Sequence, residues 1–265
     1  MAVSFLENKT MQTIRARVAF HSRQHGFDKC MQQILNPELS MSGSRIAELY
    51  AFWGDPLSPS DESFIRSCMA EAGNVTGPIV QCGASLLTIV LGALCTRAEE
   101  PSRQIWCLEH DRHWANVIRS WLTEYRVSAA HVIHSPARVF DDYVWYGVDT
   151  GRLGKQYQLV ICDGARATPQ GVIGAIHRLE SRLDDQYTIL GRNVKETPVL
   201  RLLNEWAKTR GAKFALIDKQ EGFIKLSHRT VAQADKPTTP VKRAAPVRPA
   251  ATAKANPPRP RSAAS

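Results

Sequence analysis

Gly77-Pro-Ile-Val-Gln-Cys-Gly-Ala-Ser-Leu-Leu-Thr-Ile-Val-Leu-Gly-Ala-Leu94 is the stretch on which the fold of this chain turns. Its first apolar run, Ile79 to Cys82, is too short for a helix and reads as a buried strand. Gly83-Ala84-Ser85 makes a turn, and the small and apolar residues after it fit a buried helix. Strand, glycine turn and helix form the first unit of a nucleotide-binding α/β sheet, where the turn's N–H groups and the helix N-terminus face the ligand. The same order also fits any strand-to-helix turn of an α/β protein. The stretch alone leaves the ligand open.

Downstream, the pattern alternates. Gln104-Ile-Trp-Cys-Leu-Glu109 is a second strand, and Trp114, Val117, Ile118, Trp121, Leu122 and Tyr125 then lie on one helical stripe. His131-Val-Ile-His134 is a short third strand, followed by a polar and aromatic stretch from Asp141 to Gly154. Tyr157-Gln-Leu-Val-Ile-Cys162 is a fourth strand closed by Asp163-Gly164, and Thr168-Pro169 caps the next helix. Tyr187 to Leu190 is a fifth strand, and Thr197-Pro198 caps a helix that stops at Gly211. Phe214 to Ile217 and Phe223 to Leu226 read as a closing antiparallel hairpin. The expected fold is a Rossmann-like, mostly parallel seven-stranded sheet with helices on both faces.

Upstream, residues 1 to about 57 read as helices, with apolar patches such as Val18-Ala-Phe20 and Ile46 to Trp53. Ser58-Pro-Ser-Asp61 has a capping serine, a proline at the first helical position and an acid three residues after the cap. The helix it opens carries Phe64, Ile65, Cys68 and Met69 to Gly73 and is expected to cover one edge of the sheet. Three parts follow: a helical extension over 1–73, the α/β domain over 74–230, and a tail over 231–265. The tail is rich in Pro, Ala, Lys and Arg and lacks the apolar residues to bury a core, so it is expected to be disordered.

The net charge of +9 belongs mostly to that tail. From Gln233 onward there are seven Lys or Arg against Asp235 alone, and the body before it has 27 basic and 24 acidic residues. The charge is therefore no sign of a basic face on the fold, and nucleic acid is expected only through weak, salt-sensitive tail contacts. Six cysteines without a C-x-x-C pair fit neither a disulfide framework nor a zinc site, and a reducing cytoplasm is the expected location. No apolar run approaches the ~20 residues of a membrane span.

Ligands of open α/β sheets bind at the carboxyl ends of the strands. Those ends carry Gln81-Cys-Gly-Ala-Ser85, Glu109-His110-Asp111, His134-Ser135-Pro136 and Asp163-Gly164-Ala165-Arg166. A carboxylate closing strand two suits the paired hydroxyls of a ribose. A pyrophosphate cofactor wants G-x-G-x-x-G, and Gly83-Ala-Ser85-Leu-Leu-Thr88 keeps only the first glycine.

Val80 to Leu94, Cys107-Leu-Glu-His-Asp-Arg-His-Trp114 and Leu159 to Gly164, with the upstream Phe52-Trp-Gly-Asp-Pro-Leu-Ser58, resemble class I S-adenosylmethionine-dependent methyltransferases of the bacterial type with a helical N-terminal extension. The resemblance covers roughly residues 45 to 226. It implies that Gln81, Gly83, Ala84 and Ser85 lie against the methionine part of S-adenosylmethionine and that Glu109 binds the ribose. It further implies that His110 and Ser135 flank the adenine, with Asp163 facing the sulfonium end or the substrate as the candidate catalytic group. Trp53, Tyr143, Trp145 and Arg166 are candidates for a substrate pocket. Gln81 stands where the family has an acid, Ser85 replaces its second glycine, and Gly191-Arg192-Asn193 stands where related enzymes place acids. Asp163 alone makes no metal site. The expected function is methyl transfer to a small-molecule acceptor. Its alternatives are a non-catalytic binding protein of the same fold and a nucleic-acid-associated protein using the tail.

Overall fold

The computed structural model describes residues 23–39, 42–98, 100–141, 143–149, 153–154, 156–163 and 171–228. Val18 to Phe20, Gly164 to Pro169 (Arg166 among them) and the tail over 231–265 lie outside the described residues. The first helix, α1, is helical over 23–35; α2 (Gly43–Trp53) and α3 (Pro59–Asn74) follow. Next come β1 (Ile79–Cys82), α4 (Leu86–Arg97), β2 (Ile105–Glu109), α5 (Arg112–Glu124) and β3 (Ala130–His134). A hairpin of β4 (Ala137–Phe140) and β5 (Tyr143–Tyr146) precedes β6 (Tyr157–Cys162), α6 (Gly171–Leu179) and β7 (Leu183–Gly191). The chain then forms α7 (Thr197–Thr209), β8 (Lys213–Asp218) and β9 (Phe223–His228).

Among the described residues the main sheet has seven strands in the order β3-β2-β1-β6-β7-β9-β8. β3, β2, β1, β6 and β7 are parallel, and β9 runs antiparallel between β7 and β8. This is the expected Rossmann-like sheet with its closing hairpin. Strand order reverses between β1 and β6: β1 leads outward to β2 and β3, and the chain returns beside β1 to continue the other way. Right-handed crossovers in opposite directions put their helices on opposite faces. Accordingly α4 and α5 pack in one core with Ile79, Ile105 and Cys107, while α6 and α7 pack in a second with Val80, Leu108 and Val160. Alternation along β1 sorts its side chains, Ile79 to one layer and Val80 with Cys82 to the other. α4 carries apolar residues nearly all round because it is buried on every side, from Leu86 to Cys95.

Ser58 and Asp61 cap α3 reciprocally: the Asp61 N–H donates to Ser58 Oγ at 3.2 Å and the Ser58 N–H to Asp61 Oδ2 at 3.2 Å. The helix lies across a face of the sheet rather than along its edge. Phe64 meets Phe223 of β9 edge-on at 5.2 Å, and Lys225 of β9 donates to the buried Glu71 at 2.6 Å. The reason is that α3 has apolar residues enough to add to the core of α4, so burial outweighs an edge position. Helix α7 begins at Thr197 with Glu196 as its cap residue, one position before the expected cap. All six cysteines are buried free thiols.

The stretch from Asp141 onward is not a plain loop. Arg138 pairs with Trp145 and Val139 with Val144, and the hairpin packs on α6: Tyr143 stacks on His177 at 5.3 Å and Arg178 lies 4.8 Å from the Phe140 ring. The close approach requires Gly174, where a Cβ would sit 2.3 Å from the Trp145 ring. Gly174→Ala is therefore expected to destabilise the fold by about 1–3 kcal/mol through overpacking. Gly73→Ala, with open space around it, should be neutral or stabilising by up to about 1 kcal/mol. Urea denaturation of both variants checks the contrast.

Candidate ligand-binding site

The reversal of strand order leaves a crevice at the carboxyl ends of β1 and β6, the place where open α/β sheets bind ligands. A cavity of about 560 Å³ opens there. Its floor is the β1 turn, Gly83, Ala84 and Ser85, with Glu109 and His110 from the end of β2 and Asp163 from the end of β6. Gly83 makes the turn possible, since its φ of 98° is one that a side chain rarely tolerates. Tyr50, Trp53 and Asp55 of the α2 end form one wall, and Asp61, Ile65 and Arg192 another.

Glu109 organises the floor. Its side chain is almost fully buried, and its two oxygens accept from backbone on either side: Ala84 N–H to Oε2 at 2.9 Å and Asp111 N–H to Oε1 at 2.8 Å. His110 Nδ1 lies 3.0 Å from the same Oε1. Asp111 in turn caps α5 by accepting from the Trp114 N–H at 2.7 Å, and the Trp114 indole donates back to the Ala84 carbonyl at 2.8 Å. The turns after β1 and β2 are thus locked to each other. Oε2 accepts one hydrogen bond from the protein and has a second lone pair for a ligand hydroxyl.

On the other side, Asp163 is buried at the end of β6 and accepts from the Ser85 hydroxyl at 3.1 Å. Arg192, just past β7, places Nε 2.6 Å from Asp163 Oδ1, off the hydrogen-bond line, and donates through Nη1 to Asp61 Oδ1 at 2.5 Å. Burial opposes ionisation of Asp61, but the Ser58 hydrogen bonds and the Arg192 charge win and hold its carboxyl below the usual range. For Arg192 burial favours the neutral form, while Asp163 and Asp61 outweigh it and keep the guanidinium charged. Burial, then the charge of Asp163, pushes the Tyr50 phenol well up, so it stays protonated in the wall.

The structure gathers most of the residues expected from sequence. Gly83, Ala84, Ser85, Glu109, His110, Asp163 and Trp53 all line the cavity. Gln81 does not: it is fully buried behind the turn, where its amide donates to the Gly83 carbonyl at 3.0 Å and its Oε1 has no partner. Ser135 is also buried away from it, and its N–H donates to the Glu109 carbonyl at 2.7 Å. Tyr143 and Trp145 belong to the hairpin on α6, outside the cavity, where Trp145 is buried in the second core and Tyr143 packs against it. Arg166 lies outside the described residues. Sequence reasoning missed Arg192, Asp61 and Tyr50. Asp61 carried a signal, but only as a helix cap. Among the described residues no group of three His, Cys, Asp or Glu is placed to hold a metal ion, and no helix is long and apolar enough to cross a membrane.

Because the folded Asp61 carboxyl lies below its unfolded value, its partnership with Arg192 stabilises the fold above the unfolded value and is lost as pH falls through the folded one. Asp61→Asn is expected to cost about 1 kcal/mol at pH ~7, with the gap to wild type closing as pH drops below ~4. Urea denaturation across that pH range measures it.

No family description matches the sequence, and no curated protein matches it. Solved structures do. Precorrin-6y C5,15-methyltransferase from Geobacter metallireducens GS-15 is 14% identical over 62% of this chain and 87% of its own, with a TM-score of 0.43. A methyltransferase from Geobacter sulfurreducens is 13% identical over 72% and 93%, with a TM-score of 0.48. A Streptococcus mutans protein solved in complex with SAH is 11% identical over 62% and 97%, with a TM-score of 0.46. What the chain does with its fold has to come from its own residues. Among the described residues, the seven strands of the main sheet, the reversal of their order at β1 and β6 and the closing antiparallel hairpin make the Rossmann-like fold that the resemblance to class I methyltransferases implies.

Proposed function

We propose that this protein binds S-adenosylmethionine and transfers its methyl group to a small-molecule acceptor. The observation that carries this is the Glu109 carboxylate, which ends β2 in the cavity, beside a turn with a single glycine and with a lone pair left for a hydroxyl. The residues fit the group on three counts. The cavity, at about 560 Å³, is in the size range of cofactor sites. Ala84 and Ser85 replace the close glycine backbone that a pyrophosphate requires, which favours a ligand without phosphate. The lining carboxylates Asp55, Glu109 and Asp163 suit a ligand that carries positive charge.

In this reading Glu109 accepts from the ribose hydroxyls, and His110 flanks the base. Gly83, Ala84 and Ser85 lie along the methionine part, while Tyr50 and Trp53 keep water from that side. The cofactor supplies an electrophilic methyl on a sulfonium; the chain supplies alignment, which displacement depends on most. Asp163, tied to Ser85 and Arg192, is a fixed negative charge in the wall. Gln81 holds the turn from behind, so the neutral side chain there supports the loop's shape. A cytoplasmic protein is in keeping with its six free thiols. A second reading, a binding protein without turnover, is favoured by the same Gln81, which gives the site no acid at the turn.

Titration calorimetry is expected to show S-adenosylmethionine and S-adenosylhomocysteine binding, and no binding of a nicotinamide dinucleotide. Glu109→Gln should weaken S-adenosylhomocysteine at least about tenfold, the loss of one charge-assisted bond. Absence of heat with either adenosyl ligand at millimolar concentration sinks the proposal. Binding without methyl transfer to any offered acceptor selects the second reading.

A further inference from the structure

Arg192 is an unusual wall for a cavity otherwise rich in acids. Its side chain is 19% exposed and lies 5.2 Å from the Phe64 ring, between Asp163 and Asp61. A guanidinium has five N–H donors. Nη1 gives one to Asp61, and among the described residues neither hydrogen on Nη2 is engaged. A guanidinium mostly withdrawn from water gains when its unmet donors find an acceptor, and a ligand in the cavity can supply one. A simple anion is a poor candidate, because Asp61 and Asp163 already place two negative charges around the one positive charge. A group with both signs is a good one. Asp163 and Arg192 sit side by side, and this pair of poles is complementary to the ammonium and carboxylate of an α-amino acid.

The β1 turn strengthens the case. Gln81 is neutral and faces away from the cavity, so the turn side chain contributes no charge to either end of an amino acid. Asp163 is joined to Ser85 of that same turn, which puts the charged pair next to the place where the methionine part would lie. We propose that the Asp163–Arg192 pair is the site's amino-acid cradle, with Arg192 Nη2 holding the α-carboxylate of the cofactor's methionine end and Asp163 its ammonium. Asp61 is a positioning residue that fixes the guanidinium from behind. This inference rests on the cofactor proposed above.

The test is a calorimetric cycle with S-adenosylhomocysteine, its decarboxylated analogue and 5′-methylthioadenosine, on wild type and Arg192→Met. In wild type, loss of the carboxylate is expected to cost about 10- to 100-fold in affinity. Arg192→Met should lose a similar factor for S-adenosylhomocysteine and little for the decarboxylated analogue. Arg192→Lys, which keeps the charge and loses the planar fork, should fall between. Equal binding of S-adenosylhomocysteine and its decarboxylated analogue by wild type overturns the inference and leaves the cofactor proposal standing; that comparison needs no variant to fold. Arg192→Met weakening both ligands equally also overturns it. Wild type binding none of the three removes the cofactor proposal and this inference together.

Discussion

A buried carboxylate is expensive, and Glu109 is the one on which this site is built. Moving such a group out of water costs several kcal/mol unless donors meet it. Here the donors are backbone N–H groups from two different turns, Ala84 after β1 and Asp111 after β2. That requirement shapes everything nearby. The β1 turn must present Ala84 N–H to β2, which the left-handed conformation of Gly83 permits. The β2 turn must present Asp111 N–H back, which leaves the Asp111 side chain free to cap α5. Trp114, on the first turn of α5, then closes the circle through the Ala84 carbonyl. One charge therefore sets the relative position of two strands' ends and one helix, and the shape of the crevice floor follows from the solvation of an acid.

The N-terminal helices belong to the same machinery. Trp53 of α2 meets Trp114 and Trp121 of α5 edge-on at 6.3 and 5.1 Å, and Phe27 of α1 meets Trp121 at 5.0 Å. Aromatic pairs of this kind contribute beyond their buried area. Their effect is to hold the end of α2 over the carboxyl edge of the sheet, where Tyr50 and Trp53 wall the cavity. Shielding from water strengthens every charge inside, including the Asp163–Arg192 pair. The extension is part of the site rather than an appendage to it.

Most of the sheet was legible because its signals are local. Short apolar runs, a glycine turn and helical stripes are read within about a dozen residues, and right-handed connection leaves few ways to assemble them. Glu109 and Asp163 were legible for the same reason: each ends a strand, and strand ends converge. Tyr143 and Trp145 were misplaced because a four-residue strand followed closely by another, with an aromatic at several positions, has no clear period. Only the packing of the hairpin on α6, with Trp145 against Gly174 and Tyr143 on His177, shows where these rings go.

Arg192 was beyond reach for a different reason. Read in sequence, it is a cation in a segment where acids were expected, which argues against a familiar site without indicating a new one. Its partners are 131 residues away at Asp61 and on the neighbouring strand's end at Asp163. Asp61 gave a complete local account of itself as a helix cap, and nothing in the chain's order said that its second oxygen would face a guanidinium. Charge complementarity is a property of the assembled crevice. The neutral Gln81 and the charged Arg192 each look like departures when taken singly. Taken together, they describe a β1 turn that brings no side-chain charge to the cavity, beside a charged pair from the ends of β6 and β7.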